Sequence, residues 1–397
     1  MTTATASTAT TATATTAPHT ASTATAAPPA STATAATATA PTHAASTATT
    51  APHTASTATA ATATTPTPAD RPAEASGAHP VAPAERSARE VYRDTVAALL
   101  PREERLVVLD TDTGLFAGVD FGAGADRYLN LGIAEHTLMG AAAGLAREGR
   151  IPLVHTMAAF AASRALEAVK LDIALGDLPV LIAATHAGVS AGHLGPTHHA
   201  LEDLATMRVL PHMTVVVPGD PEQTAVLLRQ ALTAGGPVYL RLGRSATPAL
   251  PAGAEPPRLG KAQVLRRGTD LTLAACGPYP VLAALEAAEL LAADGISANV
   301  LHLHTVKPLD TPALLEALAD QHTLITVEEH WAAGGFGSAV AEELAVLPVR
   351  VHRIAMPDAF VEVAGSQRHL LQQGGVSAQS IAARARRALG TIGGGTR

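Results

Sequence analysis

Between Thr185 and Arg208 the chain reads THAGVSAGHLGPTHHALEDLATMR. Four histidines, His186, His193, His198 and His199, fall within fourteen residues, Gly188, Gly192 and Gly195 between them let the backbone pass close to a ligand, and His198 and His199 are expected to open the next helix. Neutral imidazoles can bind an oxygenated substrate and pass protons to and from it. A metal centre would call for another spacing, such as a helical His-x₃-His pair, or for cysteine partners, so no metal ligand is assigned. Any one of the four could equally be an ordinary surface or core histidine. A second candidate is Glu135, the one carboxylate in LNLGIAEHTLMGAAAGLA, where Ile133, Leu138, Met139 and Leu145 spread apolar surface around much of a helix. In the first helical turn an acid can simply complement the helix dipole, worth about 0.3–1 kcal/mol. A carboxyl shielded from water can instead keep its proton and donate to a ligand nitrogen. The pattern leaves both roles open.

GPVYLRLGR sets Arg241 and Arg244 near a strand end, where one guanidinium could grip a phosphate or carboxylate in two-pronged fashion, or form a surface salt bridge. EEHWAAGGFGSAVAEELA, from Glu328, is a glycine-rich loop before a helix. It lacks the Lys-Ser/Thr ending of a P-loop and the glycine spacing of a dinucleotide turn, which favours tight packing or subunit contact over phosphate binding.

Runs of Val, Ile and Leu alternate with helical stretches and would position these groups. ERLVVLDTD, IPLVHTM, LPVLIAATHAG, MTVVVPGD and PVYLRLG read as strands of a parallel sheet covered on both faces. Ligands of such sheets lie at the carboxyl ends of strands, here marked by Asp110, Asp112, His155, His186 and Arg244. A Pro, Ala and Gly-rich break near Ser245 to Pro257 reads as a linker. DLTLAACG, ANVLHLHTV and HTLITVEEH with their intervening helices then form a second unit, and ARARRALGTIGGGTR is expected to fray. The fold class is therefore α/β, with two parallel-sheet-type domains over residues 87–250 and 258–390.

Composition excludes several functions. Of 397 residues 47% are hydrophobic, yet no charged side chain occurs from Met1 to Ala69, a stretch almost wholly Thr, Ala, Ser and Pro. TAPHTASTATAA occurs at Thr16 to Ala27 and again at Thr50 to Ala61, the mark of a duplicated low-complexity segment, and residues 1–86 are read as a disordered tail. No basic start precedes an apolar run, and no stretch reaches the roughly 20 apolar residues of a membrane span, so a cytoplasmic protein is expected. Cys276 is the one cysteine, excluding an internal disulfide, and its apolar setting suggests a buried structural thiol. A net charge of −7 without basic clusters argues against nucleic acid and for small-molecule chemistry.

NLGIAEH, VHTMAAF, HAGVSAGHLGPTHHALEDLATMRVLPHMTVVVPGDPEQ, PVYLRLGR, TVKPLD and EEHWAAGGFGSAV follow one another from about Ser87 to Gly390. Together they resemble the C-terminal half of transketolase, in order and with that family's spacing. The resemblance implies a pyrimidine-binding domain followed by a transketolase C-terminal domain, in an enzyme using thiamine diphosphate and Mg²⁺ to move a two-carbon ketol unit through a thiamine-bound carbanion. In the family the acid of the GIAE motif hydrogen-bonds the cofactor's aminopyrimidine and favours the imino tautomer that deprotonates the thiazolium carbon. Glu135 carries that role by position, with Ile133 beside it. Phe160 matches an aromatic residue that packs on the pyrimidine, Met157 stands where the family has another aromatic, and Asp112 occupies the acidic strand end near the cofactor. His186 and His198 match donor-contacting positions, and Arg89 and Arg244 match residues that hold a sugar phosphate.

Two departures bear on specificity and assembly. Where the family has an acid in GEDGPTH that reads a substrate hydroxyl, this chain has Leu194, which puts an ordinary ketose phosphate donor in doubt. The Gly-Asp-Gly motif with which the family binds the diphosphate and metal is absent from the chain. A split enzyme follows as the expectation, with a separately encoded partner holding the diphosphate domain and most of the Mg²⁺ site, in an α2β2 assembly. Rival readings are a deoxyxylulose phosphate synthase-like enzyme, the beta subunit of a 2-oxoacid dehydrogenase, and a non-catalytic scaffold subunit.

Overall fold

The computed structural model describes residues 86–251 and 255–393, so the tail expected over residues 1–86 lies outside the described residues except for Arg86. Up to the linker the elements are α1 (Ala88–Leu99), β1 (Leu106–Asp110), β2 (Tyr128–Asn130), α2 (Glu135–Arg147), β3 (Ile151–Met157), α3 (Ala158–Ala161), α4 (Leu166–Ala168), β4 (Leu181–Thr185), α5 (Asp203–Arg208), β5 (Thr214–Val216), α6 (Pro221–Ala231) and β6 (Val238–Arg241). Beyond it come β7 (Gln263–Arg266), β8 (Leu271–Cys276), α7 (Pro278–Ala292), β9 (Ala298–His302), β10 (Thr305–Lys307), α8 (Thr311–Ala317), β11 (Thr323–Trp331), α9 (Phe336–Glu343), β12 (Arg350–Met356), α10 (Gln367–Gln373) and α11 (Ala378–Gly393).

Two sheets result. The first has seven strands in the order β10-β5-β6-β4-β3-β1-β2, and the second has five in the order β12-β11-β8-β9-β7. All pairings are parallel except those of the edge strands β10 with β5 and β7 with β9. Every residue of β1, β4 and β8 is buried, as continuous apolar runs require when helices cover both faces. Strand β10 follows the linker in sequence yet completes the first sheet, pairing Thr305 with Val216 and Lys307 with Val215. That exchange ties the second α/β unit to the first.

Local chemistry starts the helices that matter for the site. A capping box opens α1: Ser87 Oγ accepts from Glu90 N at 3.2 Å, and the Glu90 carboxylate accepts from Ser87 N at 2.8 Å. An isolated antiparallel bridge between Ser87 and Ala246 then brings the first turn of α1 to the end of β6. No side chain caps α2, which begins on Glu135 itself.

Two expectations need correction. His198 and His199 do not open a helix, because Ala200 N donates to Gly188 O at 2.8 Å and Gly188 N to Ala200 O at 3.0 Å, an extended bridge that delays α5 until Asp203. Nor does ARARRALG fray. Ile381, Ala382, Ala385 and Ala388 are buried at helical spacing, and α11 packs against α7 with Arg386 Nε donating to Asp294 Oδ2 at 2.7 Å. Cys276 is buried and unpaired, and burial pushes its thiol well above the usual range, in keeping with a structural role.

Candidate active site

Glu135 stands at the first position of α2, only 3% exposed, with Leu138 and Met139 fully buried behind it. The turn leading into the helix is held by Asn130, whose Oδ1 accepts from Gly132 N at 2.9 Å while its Nδ2 donates to Asp112 Oδ1 at 3.1 Å. Asp112 is thus tied to the approach to Glu135, in a left-handed conformation with φ of +59°. Ile133 in the same turn is 76% exposed.

The Glu135 carboxylate meets a cation. Arg164 Nη1 lies 3.3 Å from Glu135 Oε2, and the Arg164 guanidinium sits 4.3 Å over the centre of the Phe160 ring. The other neighbour of Phe160 is His198, edge-on with ring centres 5.4 Å apart. Four side chains from α2, α3 and the loops after α3 and β4 therefore form one continuous group. Met157, half-buried at the end of β3, immediately precedes the helix carrying Phe160.

A second group adjoins the first through His198. His186 ends β4 in a left-handed conformation, buried, with its Nδ1 3.0 Å from Thr185 Oγ1. Burial, and then the positive charges of Arg89 and Arg244 with His193 and His198 beyond, pull His186 down to about 3, so it is neutral at pH 7. His155 stacks on Tyr92 at 5.4 Å, and burial, then His186 and Arg89, bring it down to about 3 as well. Burial followed by Arg244 also lowers Arg89, whose Nε is buried without a partner. Glu90, the carboxylate beside Arg89, is taken up by the Ser87 cap. Two guanidiniums and neutral imidazoles thus lie within reach of one another's charge, a grouping suited to an anion.

Of the two arginines in YLRLGR, the structure assigns different work to each. Arg241 is buried, donating from Nε to Asp203 Oδ2 at 2.7 Å, and Tyr239 OH donates to the same oxygen at 2.9 Å. Arg244 remains as the one whose charge is felt at His186 and Arg89. Leu194 is 41% exposed in the loop between His186 and His198. His199 is buried with both ring nitrogens unpartnered, and burial, then His198, lowers it.

The helix end behind the glycine-rich loop is already occupied by an acid of this chain. Glu328 accepts from Phe336 N at 2.6 Å and Gly337 N at 2.9 Å, so the first amides of α9 already have a carboxylate of this chain. A Cβ at Gly335 or Gly337 would overlap the same carboxylate, which accounts for the glycines by packing. Among the described residues no group of three or more His, Cys, Asp and Glu side chains could hold a metal ion, and no helix is long and apolar enough to cross a membrane.

Arg164 and Tyr92 are site residues that sequence reasoning missed. A cation four residues after an aromatic in FAASR is the signal that could have found the first. Its guanidinium also tests what the site accepts: a flat, N–H-donating group stacked on Phe160 and directed at Glu135 is the binding chemistry of a protonated or amino-substituted nitrogen heterocycle. The residues present fit the pyrimidine of thiamine diphosphate.

Fold and site together define an α/β chain of two sheets with a buried carboxylate, a ring-stacked cation and a histidine loop at the strand ends of the first. Residues 84–249 match the family model for the transketolase pyrimidine-binding domain, and residues 260–381 match that for the transketolase C-terminal domain. The 6-deoxy-6-sulfo-D-fructose transketolase subunit of Clostridium sp. is 38% identical over 296 residues, 74% of this chain and 91% of that protein. One of the subunits of the apulose-4-phosphate transketolase of Phocaeicola vulgatus is 37% identical over 296 residues, 74% of this chain and 94% of that one. A solved structure of a split-gene transketolase, described as an inactive beta4 tetramer, is 40% identical and superposes with a TM-score of 0.69 over 76% of this chain and 98% of its own. The chain belongs to the transketolase family of thiamine-diphosphate-dependent transferases, as a transketolase-like C-terminal subunit. These three are subunits of divided enzymes, which implies a separate partner chain here too, whereas the chain spans only 46% of the 39% identical 1-deoxy-D-xylulose-5-phosphate synthase 1 of Geobacter sulfurreducens.

Proposed function

We propose that this chain supplies the pyrimidine-binding and donor-binding residues of a split transketolase that transfers a two-carbon ketol unit from an anionic donor other than a standard ketose phosphate. A partner chain contributes the diphosphate domain and holds most of the Mg²⁺ site, in an α2β2 assembly. The observation that carries the reading is the buried Glu135 carboxylate facing a planar cation on Phe160.

When bound, thiamine diphosphate would supply the nucleophilic carbon needed for ketol transfer. Glu135 would hold the pyrimidine ring nitrogen through a hydrogen bond, Phe160 and Met157 would pack on the ring, and Ile133 and Asp112 would lie at its margin. His186 and His198, from one loop, contact donor hydroxyls; His186, held neutral, serves there by hydrogen bonding more than as a proton acceptor. Arg89 and Arg244 hold the anionic end of the donor. Leu194 offers a hydroxyl no acceptor, which supports a donor unlike the ordinary ketose phosphates. Two relatives are named for a sulfo sugar and a sugar phosphate, consistent with an anionic donor.

Co-expression with a candidate large subunit, addition of thiamine diphosphate and Mg²⁺, and a ketol-transfer assay over a panel of sugar phosphates and sulfonates test the proposal. Activity should require both chains and drop by at least about 10²–10⁴ in Glu135→Ala. Release of carbon dioxide from pyruvate would instead favour a synthase or dehydrogenase. A stable complex with neither turnover nor cofactor binding would point to a scaffold subunit.

A further inference from the structure

The loop bearing His186, Leu194 and His198 belongs to the first sheet, but the second α/β unit sets its course. Val189 N donates to Glu329 Oε1 at 2.7 Å across 140 residues of sequence. Gln367 Nε2 donates to both oxygens of the same carboxylate, at 3.0 and 2.7 Å. At the far end of the loop, Arg241 Nη2 donates to Ala200 O at 3.1 Å and to the main-chain oxygen of Glu329 at 3.0 Å. Trp331 N donates to Leu201 O at 3.0 Å, and Gly365 N to Gly192 O at 3.2 Å. Glu329 therefore reaches both ends of the loop, one with its side chain and one with its main chain through Arg241.

The contact admits little slack. Gly188 is left-handed at φ of +60°, and a Cβ there would overlap the Glu329 carboxylate; a Cβ at Gly192 would overlap Gly365 O. A buried carboxyl is a costly way to fill space, and apolar residues of similar volume commonly serve at least as well where only packing is required. Its use here makes sense if the hydrogen-bond geometry itself matters. Val189 N and the Gln367 amide both reach Oε1, and the Gln367 amide reaches Oε2 as well, so an amide of the same shape at 329 would set its own NH2 against the Gln367 NH2.

We propose that Glu329 is a positioning residue of the active site: by accepting from Val189 and Gln367 together, it fixes the loop that presents His186 and His198 to the donor. The proposal rests on the donor-binding role given above to those histidines. The second unit thereby contributes to donor recognition without touching the donor.

The test uses the co-expressed holoenzyme with thiamine diphosphate and Mg²⁺. Glu329→Gln should lower kcat/KM for the donor about 10–100-fold, the range for losing a hydrogen bond to a charged group, mainly through KM, with acceptor KM, cofactor affinity and assembly unchanged. The reciprocal double variant, Glu329→Gln with Gln367→Glu, restores a carboxylate-amide pair in which the amide oxygen at 329 accepts from Val189. It should recover donor kcat/KM to within about 3-fold of wild type. Wild-type donor kinetics in Glu329→Gln would overturn the proposal, as would equal losses in donor turnover, cofactor affinity and assembly. If Glu329→Gln fails to assemble, the double variant decides alone: recovery of assembly and donor kinetics supports the positioning role, and recovery of assembly without donor kinetics rejects it. Failure of the double variant to assemble also rejects it, since restoring the pair would then not restore the loop. Ketol transfer absent from wild type would instead overturn the functional reading itself.

Discussion

Glu135 and Arg164 form an ion pair at 3.3 Å in which the acid is buried and the base lies half in solvent, stacked on Phe160. The exposed partner can swing away at modest cost and leave the carboxylate and the ring face to a cofactor. In the isolated subunit the pair stabilises the buried acid. Arg164→Ala should therefore lower the Tm of the isolated subunit, whereas adding Glu135→Ala to it should cost little more, since each loss removes the same interaction. Thermal unfolding of the two single variants and the double variant measures that coupling; additive losses would exclude it.

The Ser87–Ala246 bridge joins the start of α1 to the segment after β6, and the charge of Arg244 is felt at Arg89. Replacing either with alanine should raise the donor KM about 10–100-fold with kcat little changed, as expected when binding is lost equally from ground and transition states. Steady-state kinetics with the preferred donor and with a dephosphorylated or desulfonated analogue checks this. The analogue should bind wild type and variants alike.

Leu194 makes a specificity prediction of the opposite sign. Leu194→Asp places an acceptor in the loop between the two donor histidines and should shift the kcat/KM ratio toward fully hydroxylated ketose phosphates by about 10-fold or more. The ratio between two donors, measured in competition, is the readout, and an unchanged ratio would separate Leu194 from donor choice.

Acid should destabilise the fold through histidines buried in neutral form. Burial brings His155 to about 3, and burial, then His304, brings His302 to about 3. Both values lie below the ordinary 6.5, so in the interval between them the unfolded chain binds more protons than the folded one. Stability then rises with pH through that window and is lost as pH falls from 6.5 toward 3. By pH 5 each such histidine costs about 2 kcal/mol relative to pH 7. Tm measured from pH 7 to 5 should fall, and His302→Gln should flatten the slope.

Much of this molecule is written locally. Continuous apolar runs such as LVVLD and LIAAT state a two-sided parallel sheet because a strand buried on both faces has no polar alternation to show. The sequence by itself determined that Glu135 begins an apolar helix and that a glycine-spaced histidine loop follows β4, since both depend on neighbours a few residues away. It also carried the family motifs, which name an expected cofactor without any geometry.

Tertiary structure alone decided which polar groups were already occupied. Arg241 and Arg244 look equivalent in YLRLGR, but Asp203 takes the first and leaves the second beside His186. Likewise Glu328 and Glu329 adjoin in sequence, yet one closes the end of α9 and the other reaches Val189 in the opposite unit. Strand β10 crosses into the first sheet on the strength of a short backbone pairing with β5. Local periodicity reports which face of an element is buried; which distant donor meets which acceptor depends on the packing of whole sheets, and so could be seen only in the folded chain.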